Sequence, residues 1–116
     1  MENAVKEKSF RFAVRIVRLC QYLRNTKGEF VISKQLLRSG TSIGANTAES
    51  RFAQSRPDFA SKLNIALKEA SETDYWLRLL YETNYLTKTQ FASLLRDCEE
   101  LERLLAAIVK TMKMNS

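Results

Sequence analysis

Six polar residues in the middle of the chain fall at helical spacing and could do chemistry together. They are Arg38, Ser42, Asn46 and Glu49 on one segment, and Glu69 and Glu72 on the next. An enzymatic interpretation makes the carboxylates of Glu49, Glu69 and Glu72 a cluster that binds a metal or moves protons. The alternative is a structural polar network, in which Arg38 pairs with a glutamate of the neighbouring helix and Asn46 bonds across the helix interface. We favour the network, because buried charges need partners and the chain has no histidine to complete a di-iron set.

A second set of residues is basic and lies near the start of the chain. It consists of Lys8, Arg11, Arg15 and Arg18, spaced three, four and three residues apart, with Arg24 and Lys27 as neighbours. Guanidinium groups match the geometry of phosphate oxygens, and Tyr22 on the same face could stack on a base. We therefore predict that this face contacts RNA or DNA with little dependence on the nucleotide sequence. The alternative is that the stripe pairs with acids of the last helix, within or between subunits: Asp97, Glu99, Glu100 and Glu102.

The charge of the chain is positive and unevenly distributed. The net charge is +6, and residues 1–58 hold eleven Lys and Arg against five Asp and Glu, whereas residues 59–116 hold eight of each. An anionic partner should therefore meet the first half. The absence of histidine removes the Ser/His/Asp and Cys/His arrangements. We predict a protein that is not an enzyme, with no catalytic residue, no metal and no cofactor.

Length and composition favour a single all-α domain over residues 1–116, because one Pro and three Gly leave little room for the turns of a sheet protein. No segment is apolar over the length of a membrane span and Met1 to Phe10 is charged, so we expect a cytoplasmic protein with no membrane partner. Cys20 and Cys98 match no metal-ligand spacing and fall at apolar helical positions. They are predicted to be buried free thiols, with a disulfide or a redox role as the alternative.

Two helices are predicted in the first half. Apolar residues from Phe10 to Leu23 recur every three or four positions, which predicts helix 1 from Val5 to Lys27, ended by Gly28. Its apolar arc is too broad for one neighbour to cover. Ser33 is predicted to be the N-cap of helix 2, which carries Leu36, Leu37, Ile43, Ala48 and Phe52. Gly40, Gly44 and Ala48, four residues apart, predict a stripe that another backbone approaches closely, whereas the polar surroundings argue against a membrane dimer face.

Two more helices are predicted in the second half. Ser55, Pro57 and Asp58 are typical of a helix start, and helix 3 runs to about Glu82, with Asn84 after its end. Thr87 and Gln90 form a capping box for helix 4, with Leu86 and Phe91 as its hydrophobic staple. Apolar residues of helix 4 then alternate steps of three and four, which is the period of bundle packing. Four helices with short connections predict an antiparallel up-down-up-down four-helix bundle.

The order of residues in helices 2 and 3 resembles a known family. Residues 37–50 read LRSGTSIGANTAES, Asp58 and Phe59 follow, and residues 64–80 read NIALKEASETDYWLRLL. From about Phe10 to Met112 the chain is similar to the bacterial four-helix-bundle family first noticed in intervening sequences of 23S ribosomal RNA genes. Thr47 stands where the family usually has Ile or Val, and Ser50 where it has Gly or Ala.

This resemblance implies a ring-like homopentamer, since members of the family are small antiparallel bundles that assemble in this way, and the molecular role of most is unassigned. The accessory protein of diversity-generating retroelements is similar to the family and is a basic pentameric barrel that binds nucleic acid and a reverse transcriptase. The motif positions coincide with the polar network and have no established catalytic role. The primary hypothesis is therefore a non-enzymatic oligomeric module that contacts RNA or DNA through the basic face of helix 1. The alternative is a scaffold for a partner protein such as an element-encoded polymerase.

Overall fold

The computed structural model describes residues 2–114, which form four helices joined by short loops. The helices are α1 (Glu2–Asn25), α2 (Ile32–Ser50), α3 (Arg56–Glu82) and α4 (Lys88–Met114). Consecutive helices pack closely on one another, and a looser contact between α1 and α4 closes the arrangement. The described residues thus form the all-α, antiparallel four-helix bundle that the sequence predicted. None of these helices is apolar over a length that would cross a bilayer.

The apolar core receives side chains from all four helices. The stripe predicted for helix 4 is confirmed, because Leu94, Leu101 and Leu105 are buried. Cys20 and Cys98 are both free and buried, as predicted. Each thiol donates a hydrogen bond of 3.3 Å to a backbone carbonyl of a neighbouring helix. Burial raises the pKa of Cys20 to about 11 and also raises the pKa of Cys98, so both thiols are neutral near pH 7.

The predicted boundary signals of α3 and α4 are confirmed. The Ser55 hydroxyl accepts a hydrogen bond of 3.2 Å from the backbone N–H of Asp58 at the start of α3. Asn84, after its end, has a φ of 69°, and the following backbone N–H donates to a carbonyl of the last turn. Thr87 and Gln90 form the capping box of α4, with reciprocal hydrogen bonds of 2.9 and 3.1 Å. These local signals set the length of the α3–α4 hairpin and therefore its register.

The start of α2 differs from the prediction. Ser33, predicted to be the N-cap, lies inside the helix and is buried, and its hydroxyl donates to the carbonyl oxygen of Glu29. The Glu29 carboxylate caps the helix instead, accepting from the backbone N–H groups of Val31, Ile32 and Ser33 at 2.7 to 3.1 Å. Burial opposes the charge, yet these hydrogen bonds hold the pKa of Glu29 below its ordinary value. A longer acidic side chain placed before the helix has taken the role of the serine.

The predicted close approach at the small-residue stripe is confirmed for two of its three positions. A Cβ added to Gly40 would lie 2.8 Å from the side chain of Ile16, and one added to Gly44 would lie 3.3 Å from the backbone oxygen of Ser9. These glycines admit α1 to the surface of α2. Ala48, the third member of the stripe, is exposed.

The end of α2 also differs from the prediction. Phe52 was predicted to lie on the helix, but α2 ends at Ser50 and Phe52 lies in the following loop with 77% of its surface exposed. The Arg51 guanidinium lies 5.1 Å from the centre of its ring. Phe52 therefore contributes to the surface at this end of the bundle and not to the core.

Candidate functional site

The polar network between α2 and α3 is centred on one arginine. Arg38 donates to the Glu69 carboxylate at 3.1 and 3.3 Å and also bonds to the carboxylate of Glu72. The indole N–H of Trp76 donates to Glu72 at 3.0 Å. The pairing of Arg38 with a glutamate of the neighbouring helix, expected from the sequence, is thus confirmed.

The charges in this network stabilise one another. The hydrogen bond from Trp76 and the contact with Arg38 lower the pKa of Glu72, whereas the hydrogen bond to Glu72 raises the pKa of Arg38. Glu72 is therefore ionised near neutral pH and Arg38 remains a cation. A carboxylate that is held ionised by an arginine is a poor general acid, and its oxygens are already engaged.

Of the remaining members of the predicted network, Ser42 and Asn46 bond within α2, and Glu49 reaches α3 through a different residue. The Ser42 hydroxyl donates to the carbonyl of Arg38, and the Asn46 side chain donates to the carbonyl of Ser42 at 2.9 Å. The prediction that Asn46 bonds across the helix interface is therefore wrong, because a short amide on a helix can reach the carbonyl one turn back. Glu49 accepts a hydrogen bond of 3.4 Å from the ammonium of Lys62, separately from Arg38.

The buried polar link between α2 and α3 is one that the sequence analysis missed. The Thr73 hydroxyl donates to the Ser39 hydroxyl at 2.9 Å, and both side chains are fully buried. This bond could have been predicted from the sequence, because Ser39 and Thr73 each lie on the apolar face of a helix, where a buried hydroxyl needs a hydrogen-bond partner.

The basic stripe of α1 is partly neutralised by α4. Lys8 lies 3.2 Å from the carboxylate of Glu100, and Arg15 lies 2.5 Å from that of Asp97. Arg15 also donates to the backbone carbonyl and the hydroxyl of Ser93. Two of the four acids named as alternative partners in the sequence analysis therefore pair with the stripe, and this pairing supports the weak contact between α1 and α4.

The other basic residues are more accessible. Arg11 is exposed and bonds at 3.3 Å to Glu7 on its own helix. Arg24 lies 5.6 Å from the centre of the Phe30 ring. Within residues 2–114, neither Arg18 nor Lys27 has an ion-pair partner, and both are exposed. The basic face is thus divided into a part that holds α4 and a part that meets solvent.

An apolar surface that the bundle leaves uncovered lies beside the arginines of α1. Phe10 is 70% exposed, and Val14 and Val17 are each 38% exposed. Next to them an open groove of about 650 Å³ runs between α1 and α2. Its apolar walls are Phe10, Ala13, Gly44, Ala45 and Ala48, and its rim includes Lys6, Glu7 and Arg11. We refer to Phe10, Val14, Val17 and this groove as the α1–α2 apolar face.

A cluster on α3 and α4 was also missed by the sequence analysis. One side-chain ligand atom each from Asp74, Cys98 and Glu102 lies within 4.8 Å of the other two. This spacing could hold a metal ion, but the burial that keeps the Cys98 thiol protonated makes it a poor ligand. The cluster combines residues from two helices, so it became visible only when the register of the α3–α4 hairpin was known.

The fold and the polar network define the protein as a small antiparallel four-helix bundle whose middle helices carry a charge-paired motif. The model of the family described as 23S rRNA-intervening sequence protein matches residues 1–107. The chain therefore belongs to the 23S rRNA-intervening sequence protein family, which confirms the resemblance seen in the sequence.

A solved structure is closely similar to this bundle. It is the crystal structure of a protein of unknown function from the S23 ribosomal protein family of Bacteroides thetaiotaomicron VPI-5482. The two chains are 59% identical with a TM-score of 0.92, and the match covers 94% of this chain and 97% of that one. No curated protein matches the chain.

Proposed function

We propose that this protein is a non-enzymatic, self-assembling scaffold whose copies associate through the α1–α2 apolar face. The observation that carries the proposal is the exposure of Phe10, Val14 and Val17 beside an apolar groove. Contiguous apolar surface rimmed by polar residues is typical of a protein-binding site. Burial of such surface is the main favourable term in protein association.

The charges around this face favour a second copy of the chain as the occupant. Lys6, Glu7 and Arg11 give the rim both signs of charge, which suits a protein surface better than a uniformly anionic polymer. The resemblance to a family of ring-like homopentamers supports five copies as the assembled state. In such a ring the contact is heterologous, so the α1–α2 apolar face of one copy must bind a different face of the next copy. Our candidate for that second face is the half-exposed Arg38 network together with the exposed Tyr75.

The polar residues support a structural role. Glu69 and Glu72 are engaged by Arg38, and Glu49 contacts Lys62. We assign these carboxylates to holding helix register, so that the assembled surface has a fixed shape for a partner macromolecule.

A pair of matched variants tests the assembly. Phe10→Asp places a charge in the α1–α2 apolar face, and Phe52→Asp places the same charge on an equally exposed phenylalanine at the end of the bundle. Size-exclusion chromatography with light scattering should give an oligomer for the wild type and for Phe52→Asp, and a single chain for Phe10→Asp. A monomeric wild type, or an unchanged mass for Phe10→Asp, would contradict the proposal.

Contact with RNA or DNA is the second candidate, favoured by the accessible cations of α1. Arg18 and Lys27 are exposed without an acidic partner in the described part of the chain, and Arg24 lies beside the Phe30 ring. These residues are free to bind phosphates, whereas Lys8 and Arg15 are occupied by α4.

Fluorescence anisotropy with a structured RNA and a duplex DNA over a salt series tests this candidate. We expect affinity that falls steeply with salt and that is weakened by Arg18→Glu more than by Arg96→Glu, which makes the same charge change on the exposed surface of α4. Equal effects of the two variants would mean attraction by net charge alone, and no binding at low salt would exclude this candidate.

A further inference from the structure

The interface between α3 and α4 contains two carboxyl groups that are close together. Asp74 projects from α3, and Glu102 from α4, and one oxygen of each lies within 4.8 Å of the other and of the Cys98 sulfur. One oxygen of Glu102 is buried and has no hydrogen-bond partner. A buried carboxylate oxygen without a donor is costly, so this arrangement calls for a proton.

The surrounding groups do not supply that donor. Arg78 of α3 bonds to Asp74 at 2.6 Å and lies 3.6 Å from Glu99 of α4, so its guanidinium is taken by other acids. The Cys98 thiol has one proton and donates it to the carbonyl of Ala70 at 3.3 Å, so its contact with Glu102 lowers the pKa of that carboxyl less than the other groups raise it. The acids of α4 that face α1 are a different set, Asp97 and Glu100, and are paired with Arg15 and Lys8.

We propose that Asp74 and Glu102 share one proton across the α3–α4 interface, and that loss of this proton as the pH rises weakens the bundle. The protonated carboxyl of Glu102 donates to the Asp74 carboxylate and satisfies the buried oxygen. When the proton leaves, two carboxylates and Glu99 compete for one arginine. The contribution of the α3–α4 interface to the stability of the fold thus depends on pH.

The titration of Glu102 agrees with this geometry. Burial, the nearby Asp74 carboxyl and the charge of Glu99 raise the pKa of Glu102 from 4.5 to about 7, and the Cys98 thiol partly opposes this rise. In the unfolded chain the group titrates near its ordinary value, so between these two pH values the folded state binds the extra proton. Its contribution to stability is complete below the ordinary pKa and is lost as pH rises through the folded-state pKa.

Denaturant unfolding of the full chain at two pH values tests the proposal. For this pKa shift alone, linkage predicts that the folding equilibrium constant of the wild type falls about tenfold between about pH 6 and about pH 8.5. In Glu102→Gln the amide still donates to Asp74 but does not ionise, so the fall should disappear. Glu100→Gln, which removes an acid of α4 that faces α1 and pairs with Lys8, should retain it. A Glu102→Gln profile parallel to that of the wild type would overturn the proposal.

A measurement on the unaltered protein keeps the test independent of whether the variant folds. Carbon-13 NMR of the glutamate side-chain carboxyls should show Glu102 titrating near pH 7, well above the ordinary value of 4.5. A Glu102 midpoint at or below that ordinary value would show that no proton is shared and would overturn the proposal.

Discussion

Helix α1 carries two apolar stripes that differ in what covers them. The inner stripe, with Phe12, Ile16 and Leu23, is buried, and Ile16 lies against the bare backbone at Gly40. The outer stripe, with Phe10, Val14 and Val17, meets solvent in the single chain. Both have helical spacing and similar residue types, so hydrophobicity did not decide between them. The difference lies at Gly40 of α2, whose missing side chain leaves room for Ile16 of the inner stripe.

The largest expected effect separates two adjacent residues of these stripes. Ile16→Ala removes packing from the core and should lower the free energy of unfolding by about 2 to 5 kcal/mol. Val17→Ala acts on the outer stripe and should change the unfolding of the dissociated chain by less than about 0.5 kcal/mol. Urea denaturation at high dilution measures both. Similar losses for the two variants would remove the distinction between the stripes.

The next largest change in stability is expected at Gly40, which lies against the inner stripe. Gly40→Ala gains about 1 kcal/mol of helix propensity, but its methyl group would overlap Ile16, and overpacking costs about 1 to 3 kcal/mol. We expect net destabilisation in urea unfolding. Combining Gly40→Ala with Ile16→Ala should cost less than the sum of the single variants, because the smaller side chain makes room. Strict additivity would show that the two residues do not press on each other.

The turn that directs α2 onto the inner stripe depends on Glu29. Glu29→Ala removes the helix cap and should cost about 1 to 2 kcal/mol at neutral pH, whereas Glu7→Ala on the exposed surface should cost little. Because the folded-state pKa of Glu29 is lowered, its contribution is present above the ordinary pKa of 4.5 and is lost as pH falls through the folded-state pKa. Thermal unfolding over an acidic pH series measures it. If the deficit of Glu29→Ala stays constant with pH, the cap is not the ionised carboxylate.

The third side of α1, which contacts α4 through ion pairs, should give the smallest effect. Arg15 and Asp97 are partly exposed, so Arg15→Gln should lower stability by about 0 to 1 kcal/mol, and the loss should vanish at high salt. Arg11→Gln, whose partner is on the same helix, should cost less still. The comparison is made by urea unfolding at low and high salt. A larger loss for Arg11→Gln would mean that the pairs to α4 do not close the bundle.

Much of the fold could be predicted because its signals are local. The stripe of α4, the capping box at Thr87 and Gln90 and the left-handed residue Asn84 each follow from the types of a few neighbouring residues. Where two local solutions compete, the prediction was wrong. At the start of α2 a glutamate caps the helix in place of Ser33, and on α2 Asn46 bonds to its own helix.

The rest of the site depends on how helices are placed in space. The pairing of Lys8 with Glu100 was open because the sequence does not fix the register of α1 against α4. The contact of Asp74 with Glu102 depends in the same way on the register of the α3–α4 hairpin. The exposure of Phe10 could not be predicted either, since the sequence shows a broad apolar arc without showing which part a neighbour covers.

The most direct test of self-assembly through the α1–α2 apolar face compares two phenylalanines in the unaltered protein. Phe10 and Phe52 are both largely exposed in the single chain, and only Phe10 lies on that face. Hydroxyl-radical footprinting of the assembled protein, read by mass spectrometry, should show Phe10 protected and Phe52 reactive, with Phe10 becoming reactive on dilution. Equal reactivity of the two residues at high protein concentration would contradict the account.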